Sequence, residues 1–289
     1  MERLPADWEN WVQTNVVRGV DPQGLIAILV EHAFGAELAA ERVRAALAAH
    51  QDGPAGGAGA PVPASPSSEA FIHEASVKHA CNRLTIDGHE ITVRMRVAAP
   101  DIVLFSNLLS PSECEELIAL SQRKLARSTT VNDASGVEEV HANRTSAGTF
   151  FHLNESPFIA TLDRRIAALM DMPVENGEGL QILNYQVGGE YKPHFDYFPP
   201  ELAGSAPHLA RGGQRVATLI VYLNSVEAGG ETIFPKLGVS VAPVQGSALY
   251  FAYTNTLGQV DPLTLHGGNP VASGEKWIAT KWMRQRAYR

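Results

Sequence analysis

Apolar positions change their period along this chain. In the first fifty residues Trp8, Trp11, Val12 and Val16 recur three and four apart, which is the signature of one helical face. Asp21-Pro22 then offers an N-cap with proline at the first helical position, and Gly35 is a stop. Leu38, Val43 and Leu47 on an alanine-rich background predict a third helix. Three short helices enclose only a small core, so this segment (residues 1–50) is expected to dock on the rest of the chain or on a partner. Trp8 and Trp11 are expected to pack within the cluster rather than to form a recognition surface. Residues 51–68, QDGPAGGAGAPVPASPSS, contain no Leu, Ile or aromatic residue. Such a stretch cannot bury enough apolar surface to offset its ordering entropy, and it predicts a flexible linker.

Beyond the linker the period becomes two. Ile91 to Val97 alternates as a half-buried strand does. Ser112 to Ile118 reads as a capped helix start, and Phe158 to Leu169 as a second helix with Ile159, Leu162, Ile166 and Leu169 on one side. Short strands follow between Gly- and Pro-rich turns: Leu180–Val187, Val216–Leu223, Val239–Val241, Ala248–Tyr253 and Trp277–Met283. Strands of this length and spacing behind two helices predict a mainly β domain over residues 69–289. Its expected core is a double-stranded β-helix, or jelly roll, flanked by helices.

Charge and composition narrow the function. A formal net charge of -8 gives no footprint for nucleic acid or an anionic membrane. The longest greasy run, Leu25 to Val30, is too short to span a bilayer. No apolar stretch follows a basic start, as a secretory leader would require. Cys81 and Cys114 have no knuckle spacing and are expected to be reduced thiols, so a cytoplasmic location is expected.

The chemistry is concentrated in the β region. In His194-Phe195-Asp196 the two polar side chains would share a strand face and point into the barrel mouth. His266, in Leu265-His266-Gly267-Gly268, is the natural third ligand. Two imidazoles and a carboxylate on one side of a metal leave positions open, as in the facial triad of non-haem iron(II) oxygenases. His-x-Asp alone is a weak pattern, since most strand histidines are merely hydrogen-bonded. Lys276 changes the weighing: by itself it is a solvated strand-end lysine, but beside the triad it can anchor the distal carboxylate of 2-oxoglutarate.

The run LQILNYQVGGEYKPHFDYF (180–198) resembles the signature of the prolyl 4-hydroxylase branch of the Fe(II)/2-oxoglutarate-dependent dioxygenases. So do Gln214-Arg215-Val216 leading to Val221-Tyr222-Leu223-Asn224, then Gly229-Gly230-Glu231-Thr232-Ile233-Phe234-Pro235. His266-Gly267-Gly268-Asn269-Pro270-Val271 with Gly274-Glu275-Lys276-Trp277 completes the order, and Asn143 to Phe150 resembles the family's Arg-Thr-Ser loop. The likeness covers roughly residues 100–285.

The resemblance implies iron(II) on His194, Asp196 and His266, with Lys276, Tyr185 and Thr232 around 2-oxoglutarate. Dioxygen is the second cosubstrate and ascorbate the expected reductant. It places Tyr191, Arg215 and Trp282 beside a peptidyl proline, Glu178 in support, and Arg144 and Ser146 in a loop closing over substrate. Structural alternatives stand beside these: Tyr185 and Trp282 as barrel core, Glu178 and Arg215 as an ordinary salt bridge. Asn269 departs from a cysteine found in many relatives. The Pro199–Gly213 loop is expected to be mobile, with His208 solvated rather than a fourth ligand. The reaction implied is proline hydroxylation coupled to conversion of 2-oxoglutarate to succinate and carbon dioxide. Alternatives are a 2-oxoglutarate oxygenase with another substrate and a non-catalytic jelly-roll binding protein.

Overall fold

The computed structural model describes residues 4–17, 22–31, 34–51, 71–74, 81–128, 130–131, 138–139 and 145–289. It divides into two compact units, Met1–Glu69 and Ala70–Arg289. The proposed linker lies outside the described residues except for Gln51, which ends a helix.

In the first unit α1 (Ala6–Val17), α2 (Pro22–Glu31) and α3 (Ala36–Gln51) form a three-helix cluster. Val12, Val16, Leu25, Leu29, Ala39 and Val43 are buried in it. Trp8 meets Trp11 edge-on at 5.4 Å and Phe34 at 5.2 Å, so the aromatic pair packs within the cluster. No described helix is long and apolar enough to cross a membrane.

The second unit is built on strands. It opens with β1 (Arg83–Ile86), β2 (His89–Val97) and β3 (Ile102–Ser106). Helix α4 (Pro111–Gln122) starts at Ser110 rather than Ser112, through a reciprocal capping box with Glu113. Short strands β4 (Ala126–Arg127), β5 (Thr130–Val131) and β6 (Glu138–Glu139) precede β7 (Ala147–Phe151). Helix α5 (Pro157–Met170) buries Ile159, Leu162, Ile166 and Leu169, the face its periodicity predicts.

The strands that build the site follow: β8 (Leu180–Tyr185), β9 (Tyr191–His194), then helix α6 (Ala206–Ala210) and β10 (Arg215–Tyr222). After them come β11 (Ala228–Gly229), β12 (Thr232–Phe234), β13 (Val239–Val241) and β14 (Ala248–Ala252). The chain closes with β15 (His266–Gly268), β16 (Val271–Ser273) and β17 (Lys276–Arg284).

These strands make a jelly roll. Its larger sheet runs β1-β2-β3-β14-β10-β17-β8-β7-β4, and its smaller one β13-β12-β15-β9. Phe251 of the larger sheet meets Phe234 and His266 of the smaller at 5.3 and 4.5 Å, so the sheets face each other across the site. On its outer side the larger sheet is buttressed by the helices. Buried Lys281 of β17 pairs with Asp163 of α5 at 2.7 Å, and Arg165 of α5 pairs with Glu113 of α4 at 2.8 Å. Burying these charges is tolerable only because each is mated. β17 is buried along its whole length, and the site is built on that rigid base.

Candidate active site

Antiparallel pairing of β9 with β15 sets His194 directly opposite His266, with ring centroids 4.4 Å apart. Asp196 departs from the strand alternation expected of it: β9 ends at His194, and Asp196 sits in the bend beyond. Its carboxylate nevertheless reaches both rings. Oδ1 lies 3.6 Å from His194 Nε2, and Oδ2 lies 3.6 Å from His266 Nε2. The three ligand atoms fall within 4.8 Å of one another, and no other such group occurs among the described residues.

Backbone carbonyls set the tautomers. Nδ1 of His194 is 2.8 Å from Lys192 O, and Nδ1 of His266 is 3.0 Å from Thr264 O. A carbonyl only accepts, so each Nδ1 carries the proton and each Nε2 turns a lone pair to the centre. Burial, aided by His194, pushes His266 down to about 4, which keeps it neutral. Burial opposes ionisation of Asp196 too, but the imidazoles of His266 and His194, with Arg215, hold its carboxyl below the usual range. Two imidazole nitrogens and one carboxylate converging on one point fit a divalent iron ion.

Next to this cluster lies an unmatched cation. Lys276 opens β17 opposite Tyr185 of β8, and its ammonium is 5.5 Å from the Tyr185 ring and 5.9 Å from that of Tyr222. It is 4% exposed, and among the described residues no carboxylate pairs with it. Burial therefore pushes its amine down to about 8, with Glu231 only partly countering. A Cβ built on Gly268, two residues past His266, would lie 3.7 Å from the Lys276 Nζ, so cation and ligand strand are neighbours. Gly230, at φ 71°, gives the lysine stem its passage: a Cβ there would meet Cδ at 3.3 Å. Thr232 is buried in the same wall and accepts a hydrogen bond from the Tyr222 hydroxyl at 2.8 Å. This arrangement fits a small dicarboxylate reaching from the cation toward the metal ligands. Sequence reasoning gave Tyr222 no role of its own; its signal was a phenol at the end of the apolar run Leu219–Val221.

At the other end of β10 and β17, two buried guanidiniums share one carboxylate. Glu178 Oε1 accepts from Arg215 Nε at 2.7 Å and from Arg284 Nε at 2.6 Å, while Oε2 accepts from the second Arg215 arm at 2.9 Å. The Arg215 guanidinium lies 4.0 Å from the centroid of Trp282 and 4.8 Å from that of Phe198. Its remaining arm donates to the Asp196 carbonyl at 3.3 Å, joining this wall to the metal ligands. Trp282 Nε1 is buried and has no hydrogen-bond partner among the described residues. Tyr191 stacks on His194 at 3.6 Å, beside the triad.

Other expectations fare differently. Ser146 does not join these walls, because its fully buried hydroxyl donates to Ser128 at 2.9 Å. Arg144 lies outside the described residues. The Pro199–Gly213 segment folds into a helical turn and α6. Arg284 anchors it by donating to the His208 and Gly213 carbonyls at 3.0 and 2.7 Å. His208 is half-buried and stacked on Phe198 at 4.8 Å, apart from the ligand cluster. Asn269 bonds to Glu231 at 3.2 Å, a packing role. Sequence reasoning also gave no role to Thr218, Tyr253 or Arg284.

The family model for the 2OG-Fe(II) oxygenase superfamily matches residues 180–284. Probable prolyl 4-hydroxylase 3 of Arabidopsis thaliana is 39% identical over 209 residues, which cover 66% of this chain and 71% of that one. Prolyl 4-hydroxylase 1 of the same plant is 43% identical over 204 residues, covering 65% and 70%. Among solved structures, the viral collagen prolyl hydroxylase of Paramecium bursaria Chlorella virus-1, in its 2OG complex, superimposes with a TM-score of 0.51. That protein is 29% identical, and the match covers 63% of this chain and 95% of the viral one.

Proposed function

The chain belongs to the prolyl 4-hydroxylase branch of the 2OG-Fe(II) oxygenases, and from that premise we propose that it hydroxylates proline in a protein or peptide. The observation that carries this reading is the unmatched Lys276 ammonium beside the His194, Asp196 and His266 cluster. A buried cation without a partner calls for an anionic ligand, and the cluster beside it calls for a metal.

Bound iron(II) would supply the activation of dioxygen, driven by oxidation of 2-oxoglutarate to succinate and carbon dioxide. His194, Asp196 and His266 would hold it. Lys276 pairs with the distal carboxylate of 2-oxoglutarate, and the Thr232 and Tyr185 side chains bound the same pocket. Exclusion of water by these buried walls strengthens the charge pairing. Tyr191 and Trp282 offer flat faces to a pyrrolidine ring, and the unpartnered Trp282 Nε1–H can donate to a peptide carbonyl. Position within this slot selects the carbon that reacts.

Ascorbate as reductant and the cytoplasm as the place of action belong to the same proposal. The unpaired thiols Cys81 and Cys114 accord with a reducing compartment. We further assign residues 69–289 as the oxygenase domain, with 1–50 as a separate helical segment.

The test is succinate release with iron(II), ascorbate and 2-oxoglutarate, with and without proline-containing peptides. Peptide should stimulate turnover and gain one oxygen on the proline ring, and His194→Ala should abolish both. Oxygen on another residue or on a free small molecule would replace the proline assignment. Silence of the wild-type protein across peptide pools would sink the oxygenase reading itself.

A further inference from the structure

Of the three candidate ligands, Asp196 is the one that no strand ladder orients, because β9 ends two residues earlier. Its carboxylate is fixed by side chains of the facing sheet instead. Thr218 of β10 donates to Asp196 Oδ2 at 2.6 Å, and the Tyr253 hydroxyl lies 3.1 Å from Thr218 Oγ1. Thr218 and Tyr253 are both fully buried.

Proton counting orders this chain. An ionised carboxylate only accepts, so the single hydroxyl hydrogen of Thr218 is committed to Asp196. Tyr253 must then donate to Thr218. Burial, with the Asp196 charge nearby, keeps that phenol protonated. Linked donors of this kind polarise and strengthen one another.

We propose that Tyr253 and Thr218 form a relay that holds Asp196 as a one-oxygen metal ligand, keeping Oδ2 on the protein and presenting Oδ1 to the cation. The inference rests on the iron-site reading above. Its consequence is coordination room: a carboxylate free to turn would offer both oxygens and take a position that the keto acid or dioxygen needs. Thr218 and Tyr253 act through Asp196 and are positioning residues.

Equilibrium dialysis of the metal-free protein against cobalt(II), alongside thermal melts, tests this. Thr218→Val keeps the shape and removes the donor, and should weaken cobalt binding about 10–100-fold. Thr218→Ser should restore most of that loss. Saturated with cobalt, Thr218→Val should also bind 2-oxoglutarate more weakly than wild type, which a purely structural role would not cause. A normally melting Thr218→Val that binds cobalt within about twofold of wild type overturns the relay. So does a serine variant as weak as valine. If Thr218→Val does not fold, Tyr253→Phe decides: a loss of about two- to fivefold supports the relay and unchanged affinity overturns it. If wild type binds no cobalt, the iron-site reading falls first and the relay with it.

Discussion

The two walls of the pocket treat buried charge in opposite ways. On one, Lys276 stands without a carboxylate among the described residues, and its amine is pushed down to about 8. On the other, Glu178 lies between Arg215 and Arg284, and burial is outweighed by the two guanidiniums, so its carboxyl sits below its ordinary range. An unmatched charge is a cost that folding tolerates where a ligand will remove it. A matched set is a scaffold, and it contributes rigidity whether or not substrate is present. The first wall therefore identifies a ligand by its charge, while the second identifies one only by shape.

The largest effect should come from breaking the matched wall. Glu178→Gln leaves two buried guanidiniums uncompensated and should destabilise the oxygenase domain by about 3–5 kcal/mol at neutral pH. Urea unfolding would measure it, and a loss under about 1 kcal/mol would mean the network is not the scaffold described. Breaking the unmatched wall should do the reverse. Lys276→Met should leave the ligand-free protein as stable as wild type or more so, yet weaken 2-oxoglutarate binding about a hundredfold. Calorimetric titration checks this, and unchanged affinity would remove Lys276 from the cosubstrate site.

The smallest effect is one of pH. In ligand-free protein the Lys276 ammonium is lost above about 8, and pairing with a carboxylate must restore it. The apparent dissociation constant for 2-oxoglutarate should then rise about tenfold per unit above that value and depend little on this group below it. Stability runs the other way. The unfolded chain holds this proton up to about 10.5, so the penalty of burying Lys276 is present below 8 and fades as pH rises between the two values. The advantage of Lys276→Met should shrink across the same window.

What could be read from sequence was what repeats locally or carries its own chemistry. Short runs between Gly- and Pro-rich turns located β10, β14 and β17, and helical spacing located the buried face of α5. Lys276 and the three ligands stood out because such residue types are rarely placed on inward faces without a reason. Thr218, Tyr253 and Arg284 did not, since their partners depend on which strands become neighbours. Thr218 sits on β10, and Tyr253 follows β14, its neighbour in the sheet. No local pattern encodes that adjacency. The composition of the Pro199–Gly213 segment is that of a loop, but Arg284 anchors it from far along the chain and Gln214 ties its ends together. Gln214 clamps the Phe198 backbone through both amide atoms at 2.8 and 2.6 Å. Motif likeness around Ser146 does not say which way its hydroxyl turns, and it turns to Ser128.

The pairing of His194 with His266 across β9 and β15 also has a consequence for how the chain can vary. Two ligands far apart in sequence share one rung, so their spacing in the folded molecule is indifferent to how much chain runs between them. Residues can be added to or removed from the 199–213 excursion without moving either imidazole, provided that rung stays in register. A slip of one residue would turn a histidine to the opposite face of the sheet and lose the cation. The centre thus works as a checkpoint for strand alignment: only a correctly threaded molecule can be charged with metal, while the excursion stays open to change.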